Sequence, residues 1–208
     1  MAALPLFLFP LSFMEFLAAT GNNLLLAEIL RHEQGMEINA AIHQKMLDLV
    51  GQFLAIGGMP EAVVRWIESN NPKTSFEIHH QLVESYKQDF QKYAKKHQIK
   101  YLDQLFSQIP RFMGKQFKYS EIHGEYRKRE LAPCLDLLCN ANVVHKITHS
   151  SGFGHPLGAE INPEWFKLIF LDVALCQALL GLDLSTWFLD PNAHFINQGY
   201  VAEAFVGQ

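Results

Sequence analysis

Six cations crowd the stretch from Arg111 to Arg129: Arg111, Lys115, Lys118, Arg127, Lys128 and Arg129. Cations gathered on one side of a small fold neutralise phosphates, which supplies most of the affinity of a nucleic-acid binder without specifying sequence. Lys115, Lys118, Arg127, Lys128 and Arg129 are therefore the candidate nucleic-acid contacts, with duplex DNA as the partner. Glu121, Glu125 and Glu130 dilute the group, so a solvated, salt-bridged face that touches only protein is the competing reading. The formal net charge of -4 excludes a protein whose whole surface binds nucleic acid, and leaves room for one local basic face.

Other residue types offer less chemistry. His79, His80, His123, His145, His149 and His155 invite a metal reading, because His145 and His149 are four apart with carboxylates near them in sequence. "VVHKITH" reads as a strand, however, where residues four apart share a face but stand about 13 Å from one another, and no cysteine joins them at zinc-finger spacing. Exposed or hydrogen-bonded histidines are expected, with no metal and no cofactor. Cys134 and Cys139 are five apart, which suits neither a redox pair nor a zinc knuckle. No Ser/His/Asp or Cys/His set presents itself, and Asp172 or Glu203 alone cannot supply both a general acid and a general base. The chain as it stands is not expected to be an enzyme.

The elements that must position the cations follow from periodicity and punctuation. "YLDQLFSQIPRFMG" reads as a helix, and "KQFKYSEIHGEY" as a short helix opened by Ser120 as its N-cap. A longer helix then runs through Leu131, Leu135 and Leu138, followed by the β-branched run "VVHKIT" and a glycine-containing turn at "SSGFGHP". That order outlines a winged helix-turn-helix, whose third helix is placed to enter a major groove and here leads with Arg127, Lys128 and Arg129. "NPEWFKLIFLDVALCQALLG" reads either as a helix or as a strand plus helix, and "NQGYVAEAFVGQ" starts a further helix at the end of the chain.

Upstream, Ser12 with Glu15 three residues on is a capping-box signature after the strand-like "LFLFP". From about Asn39 to Asn70 two amphipathic helices, one carrying Met46, Leu49, Val50, Phe53 and Leu54 and the other Ala62, Val63, Trp66 and Ile67, are separated by Gly57, Gly58, Met59 and Pro60. Glycines end a helix, and proline suits the first turn of the next, so these four residues form a structural corner. A Gly-Gly pair can also cradle a phosphate, but no GK[ST] follows it. After a turn-rich "NNPKTS" a long helix is predicted, with Leu82, Tyr86, Phe90 and Tyr93 as its apolar stripe.

The chain has 208 residues, 49% of them apolar, enough for one large or two small domains. The apolar start lacks a basic leader and contains Pro10 and Glu15, while "FKLIFLDVALCQALLGL" is broken by Asp172, so no membrane span is predicted. The three cysteines, Cys134, Cys139 and Cys176, sit in apolar patterns as buried thiols of a reducing compartment, which places the protein in the cytoplasm.

"IGGMPEAV", "YKQDFQKYA", "KQFKYSEIHGEYRKRELAPCLDLLCNANVVHKI", "EWFKLIFLDVALCQALL" and "GYVAEAFVGQ", in that order, resemble a large family of prokaryotic AAA-type ATPases. Those proteins join an N-terminal P-loop ATPase core to a C-terminal uncharacterised domain whose last part is similar to the restriction-endonuclease fold. The likeness runs from about Leu6 onward: "FLFPLSFMEFL" is similar to the segment where the ATPase core gives way to its helical lid, and "GGMP" to the family's helix corner. The chain has no Walker A motif and no Walker B strand, and it lacks the E-x-K pair of a nuclease-like core. Glu203 matches the glutamate of that core's first helix.

The resemblance implies the middle of a longer protein, with surfaces bared by truncation that can self-associate. The expected fold is mainly α: a helical lid-like bundle, a winged helix-turn-helix and the start of a truncated α/β domain, divided at 1–75, 76–161 and 162–208. The expected function is a non-catalytic fragment of an AAA-type ATPase whose winged-helix module binds nucleic acid or protein. The alternatives are part of an ATP-dependent DNA-processing enzyme completed by missing segments, and a pure protein-interaction module.

Overall fold

The computed structural model describes residues 8–152, 157–181 and 198–207. The architecture is mainly helical, with a small two-stranded antiparallel sheet. The described residues form two compact units, 8–78 in one and 79–181 with 198–207 in the other, and the longest helix passes from the first to the second between Ile78 and His79.

The first unit opens at α1 (Phe13–Ala19), fixed by a capping box. The Glu15 amide donates to Ser12 Oγ, and the Ser12 amide donates to the Glu15 carboxylate at 2.8 Å. That bond holds the Glu15 carboxyl below its ordinary range. The residues Leu8 to Pro10 before it form no regular element, while Leu6 and Phe7 of the strand-like opening lie outside the described residues. Next comes α2 (Asn23–Arg31), which buries none of its residues fully.

The third helix, α3 (Ala40–Ile56), starts where the Asn39 side chain accepts from the Ala41 amide, and α4 (Pro60–Ser69) ends at Asn70 in the left-handed conformation. Phe16, Leu17, Phe53, Ile56, Ala62 and Val63 form the core of this unit, with the Phe53 ring meeting Phe13 and Phe16 edge-on. Ile67, on the apolar stripe read from the sequence, is exposed, as is Val64.

Gly57 to Pro60 turn the chain between α3 and α4. Gly57 has φ 76 and ψ -176, a region that is essentially glycine-only. At Gly58 another backbone comes so close that a Cβ would stand 2.2 Å from the Leu11 carbonyl oxygen, and the Leu11 amide donates to the Gly58 carbonyl at 2.7 Å. Met59 is the N-cap of α4 and Pro60 sits in its first turn. Among the described residues no single helix is long and apolar enough to cross a membrane; α3 and α4 together have that length and composition, but they bend by 119° at this corner.

The second unit is reached along α5 (Pro72–Tyr93), followed by α6 (Ile99–Gln108) and a 3-10 turn (Ile109–Phe112). A second 3-10 turn (Tyr119–Glu121) stands where the sequence suggests a short helix. Ser120 is not an N-cap there, because Lys118 holds that position and no side chain caps the turn. The reason lies in the buried Gln108 side chain, which accepts from the His123 amide at 2.7 Å and donates to the His123 carbonyl at 3.2 Å. Those are the backbone groups a helix through His123 would need for its own ladder.

The longer helix is α7 (Lys128–Asn140), which packs Leu131, Cys134, Leu135 and Leu138 inward and lies against α6. Strand β1 (Val144–Ser150) then pairs antiparallel with β2 (Ile161–Phe170), so the segment that read as helix or strand-plus-helix is a strand followed by α8 (Val173–Leu179). Residues 153–156 of the expected turn, His155 among them, lie outside the described residues. Gln116 adds an isolated antiparallel bridge to Lys167, reinforced by the Phe117 amide donating to the Phe166 carbonyl. The last helix, α9 (Gln198–Gly207), meets β2 through Lys167 and Glu203, which form an ion pair. Phe106 and Phe117 centre the core, the first in ring contact with Phe90 and Phe170, the second with Phe112 and Phe166.

Candidate nucleic-acid interface

The start of α7 is built from several directions. Arg127 is extended (φ -97, ψ 149), and its backbone amide donates to the Glu130 carboxylate at 2.9 Å. This bond, then the Tyr101 hydroxyl and the Arg129 and Arg127 charges, holds the Glu130 carboxyl below its ordinary range. A carboxylate in the first turn also suits the positive end of the helix dipole. Tyr101 on α6 meets Tyr126 edge-on at 5.7 Å, so α6 fixes the chain just before the helix begins. With Leu131 and Leu135 fully buried below, the Arg127, Lys128 and Arg129 side chains are left at the surface.

The structure sorts the cations into two groups. Lys128 grips Glu164 of β2, its ammonium 2.6 and 2.8 Å from the two carboxylate oxygens, and Lys118 pairs with Glu121 at 3.4 Å. Lys115 lies over the Tyr200 ring at 5.3 Å. Arg111, Arg127 and Arg129 are exposed and make no ion pair among the described residues. A further cation, Lys146 on β1, sits over the Phe166 ring at 4.2 Å. Sequence spacing did not single it out, and the strand pairing is what brings it beside Glu164. Glu164 itself, 36 residues from Lys128 in sequence, carries no local signal either.

The electrostatics follow this arrangement. The Lys128 hydrogen bond and charge, helped by Lys146, hold the Glu164 carboxyl below its ordinary range. Tyr119 beside them is half-buried, and burial first, then Asp136, Cys139 and Glu164, pushes its hydroxyl up to about 12. Asp136 lies on the exposed face of α7 with Pro133, Leu137 and Asn140, so the basic character of that face is confined to its N-terminal end. Burial raises the thiols of Cys134, Cys139 and Cys176, which disfavours their thiolate forms.

The histidines stand apart. His79 is fully buried, His80, His123 and His149 are exposed, and among the described residues no three His, Cys, Asp or Glu side chains come together as a metal group. A separate apolar groove of about 470 Å³ opens between the end of α5 and the C-terminal half of α7, lined by Phe90, Tyr93, Leu102, Leu137, Leu138 and Val143. At its rim Tyr93 is 85% and Leu137 40% exposed, although Tyr93 belongs to the apolar stripe read from the sequence.

Residues 47–186, from within α3 to beyond α8, match the family model described as "Domain of unknown function (DUF8612)". The match covers more than half of the chain, which therefore belongs to that family. No curated protein and no solved structure matches it.

Proposed function

We propose that this member of the DUF8612 family binds nucleic acid weakly through a winged-helix module running from α6 to β2. The order α6, short turn, α7, β1, β2 supports the reading, as does the bridge from Gln116 to Lys167, which sets a third extended segment beside β2 where a winged helix has one. The observation that carries the function is the pair Arg127 and Arg129, exposed at the N-terminus of α7 without an ion pair among the described residues. The motifs shared with AAA-type ATPases support a wider setting, a non-catalytic part of such an ATPase working in the cytoplasm, where the module couples nucleotide state to nucleic acid or a partner.

Fluorescence anisotropy with duplex DNA across a salt series tests the reading. Each phosphate neutralised contributes a slope of about -0.9 in log affinity against log salt, so two free arginines imply roughly a tenfold loss between 50 and 200 mM. Changing Arg127, Lys128 and Arg129 together to alanine should flatten the slope by about two units, since Lys128 is already neutralised by Glu164. Absence of binding at low salt, or binding unaffected by the triple change, overturns it. A protein-docking role is the second reading, favoured by the apolar groove and its exposed Leu137 and Tyr93. The enzyme rival, part of an ATP-dependent DNA-processing assembly, requires Mg-ATP binding that calorimetry would detect.

A further inference from the structure

The two-stranded sheet carries an aromatic pair that duplex binding does not use. Its register breaks between Thr148 and His149: Thr148 lies opposite Phe166 and His149 opposite Asn162, so Pro163, Glu164 and Trp165 have no partners on β1. Such a bulge re-aims side chains. Here Trp165 lies flat against His149, with ring centroids 4.4 Å apart and planes 10° from parallel. Trp165 keeps 46% of its surface exposed, and Ile147, which alternation puts on the same side of β1 as His145, keeps 47%. An indole is costly to leave half in water. One face of this ring is covered by His149, and nearly half of the residue's surface is still open to solvent.

The platform adjoins the cations of α7. Glu164, the chain neighbour of Trp165, is the residue gripped by Lys128 at 2.6 Å, and Arg127 and Arg129 flank Lys128. The Lys128–Glu164 pair thus ties the chain beside Trp165 to the start of α7, where Arg127 and Arg129 are exposed without an ion pair among the described residues. An aromatic surface close to such cations is the pairing that single-stranded nucleic acid requires, since bases stack on the ring while cations hold the backbone. Bases inside a duplex are already stacked on each other and offer only their edges. We propose that Trp165 and His149 form a stacking platform for an unpaired base, so that this surface prefers nucleic acid with a single-stranded overhang to a blunt duplex. The proposal rests on the nucleic-acid reading above and goes beyond it in naming the form of the ligand.

The test measures affinity of the full chain, by anisotropy at low salt, for a blunt DNA duplex and for the same duplex with a single-stranded tail. One stacked base should favour the tailed form by about fivefold to a hundredfold. Trp165→Ala should bring the two affinities together, Trp165→Phe should keep part of the preference because a smaller ring still stacks, and His149→Ala should weaken it. Both residues are surface-exposed, and circular dichroism and melting confirm that each variant is folded; if Trp165→Ala is not, His149→Ala and Trp165→Phe decide. Equal affinity for the two duplexes, or a preference unchanged in Trp165→Ala and His149→Ala, overturns the platform while leaving the cationic surface standing. Binding to neither duplex overturns both.

Discussion

Gly58→Ala tests the corner between α3 and α4 most directly. The added Cβ would lie 2.2 Å from the Leu11 carbonyl oxygen and 2.9 Å from its nitrogen, and both are backbone atoms that no side-chain rotation can relieve. The two segments must therefore part, and the first bond to go is the Leu11 amide to the Gly58 carbonyl, now 2.7 Å. Gly58 is buried, so its carbonyl would be left without that partner, at a cost of about 1–3 kcal/mol. In a unit of this size each kcal/mol lowers Tm by roughly 4–8 °C. The capping box that opens α1 begins one residue after Leu11, so loss of helicity should accompany the shift. Gly57→Ala strains φ, at about 1–3 kcal/mol, and serves as a second probe of the same turn. Thermal unfolding followed by circular dichroism reads both. A Gly58→Ala protein melting within a degree of the parent would refute the claim that this close approach requires glycine.

Two further outcomes follow from the second unit. Leu135→Asn removes a fully buried leucine worth about 1.5–3 kcal/mol and buries an amide in its place, so urea denaturation should show the loss of a large part of a typical domain's stability; an unchanged midpoint would mean α7 does not pack as described. Tyr119, with its hydroxyl pushed up to about 12 by burial and by Asp136, Cys139 and Glu164, holds its proton more tightly folded than unfolded. Its contribution is complete below the unfolded value of about 10 and is lost as pH rises toward 12, so Tm should fall across that interval and Tyr119→Phe should flatten the fall. An ultraviolet phenolate titration with no late-ionising tyrosine would sink the assignment.

What the sequence revealed was local. Ser12 with Glu15, Asn39, Pro60 and Asn70 mark helix ends through bonds and backbone angles made within a few residues, and Leu131, Leu135 and Leu138 repeat at the helical period, so these features were readable without a fold. Features set by distant partners were not. Ser120 has the chemistry of an N-cap, but Gln108, fifteen residues before His123, takes the backbone groups that a helix needs. The segment from Ile161 to Phe170 has a pattern compatible with helix or strand, and pairing with β1 decides it. The candidate cations were visible as a run of charges, whereas the neutralisation of Lys128 by Glu164, and with it the division into paired and unpaired cations, exists only once β2 is in place.

That division bears on how the two readings of α7 can be separated. The helix presents Arg129 and Lys128 at one end and Leu137, at the rim of the groove, near the other. Lys128 and Leu137 are nine positions apart, so about 13 Å separates them along the axis. This exceeds the screening length of about 8 Å at physiological ionic strength. Charge removed at the N-terminal end therefore has little electrostatic reach to a partner seated in the groove, and a polar residue at Leu137 has little effect on phosphate binding. The proposed nucleic-acid contact at the start of α7 and the alternative protein contact at its end can thus be tested separately. Which of the two a given substitution disturbs is read from where along α7 it falls.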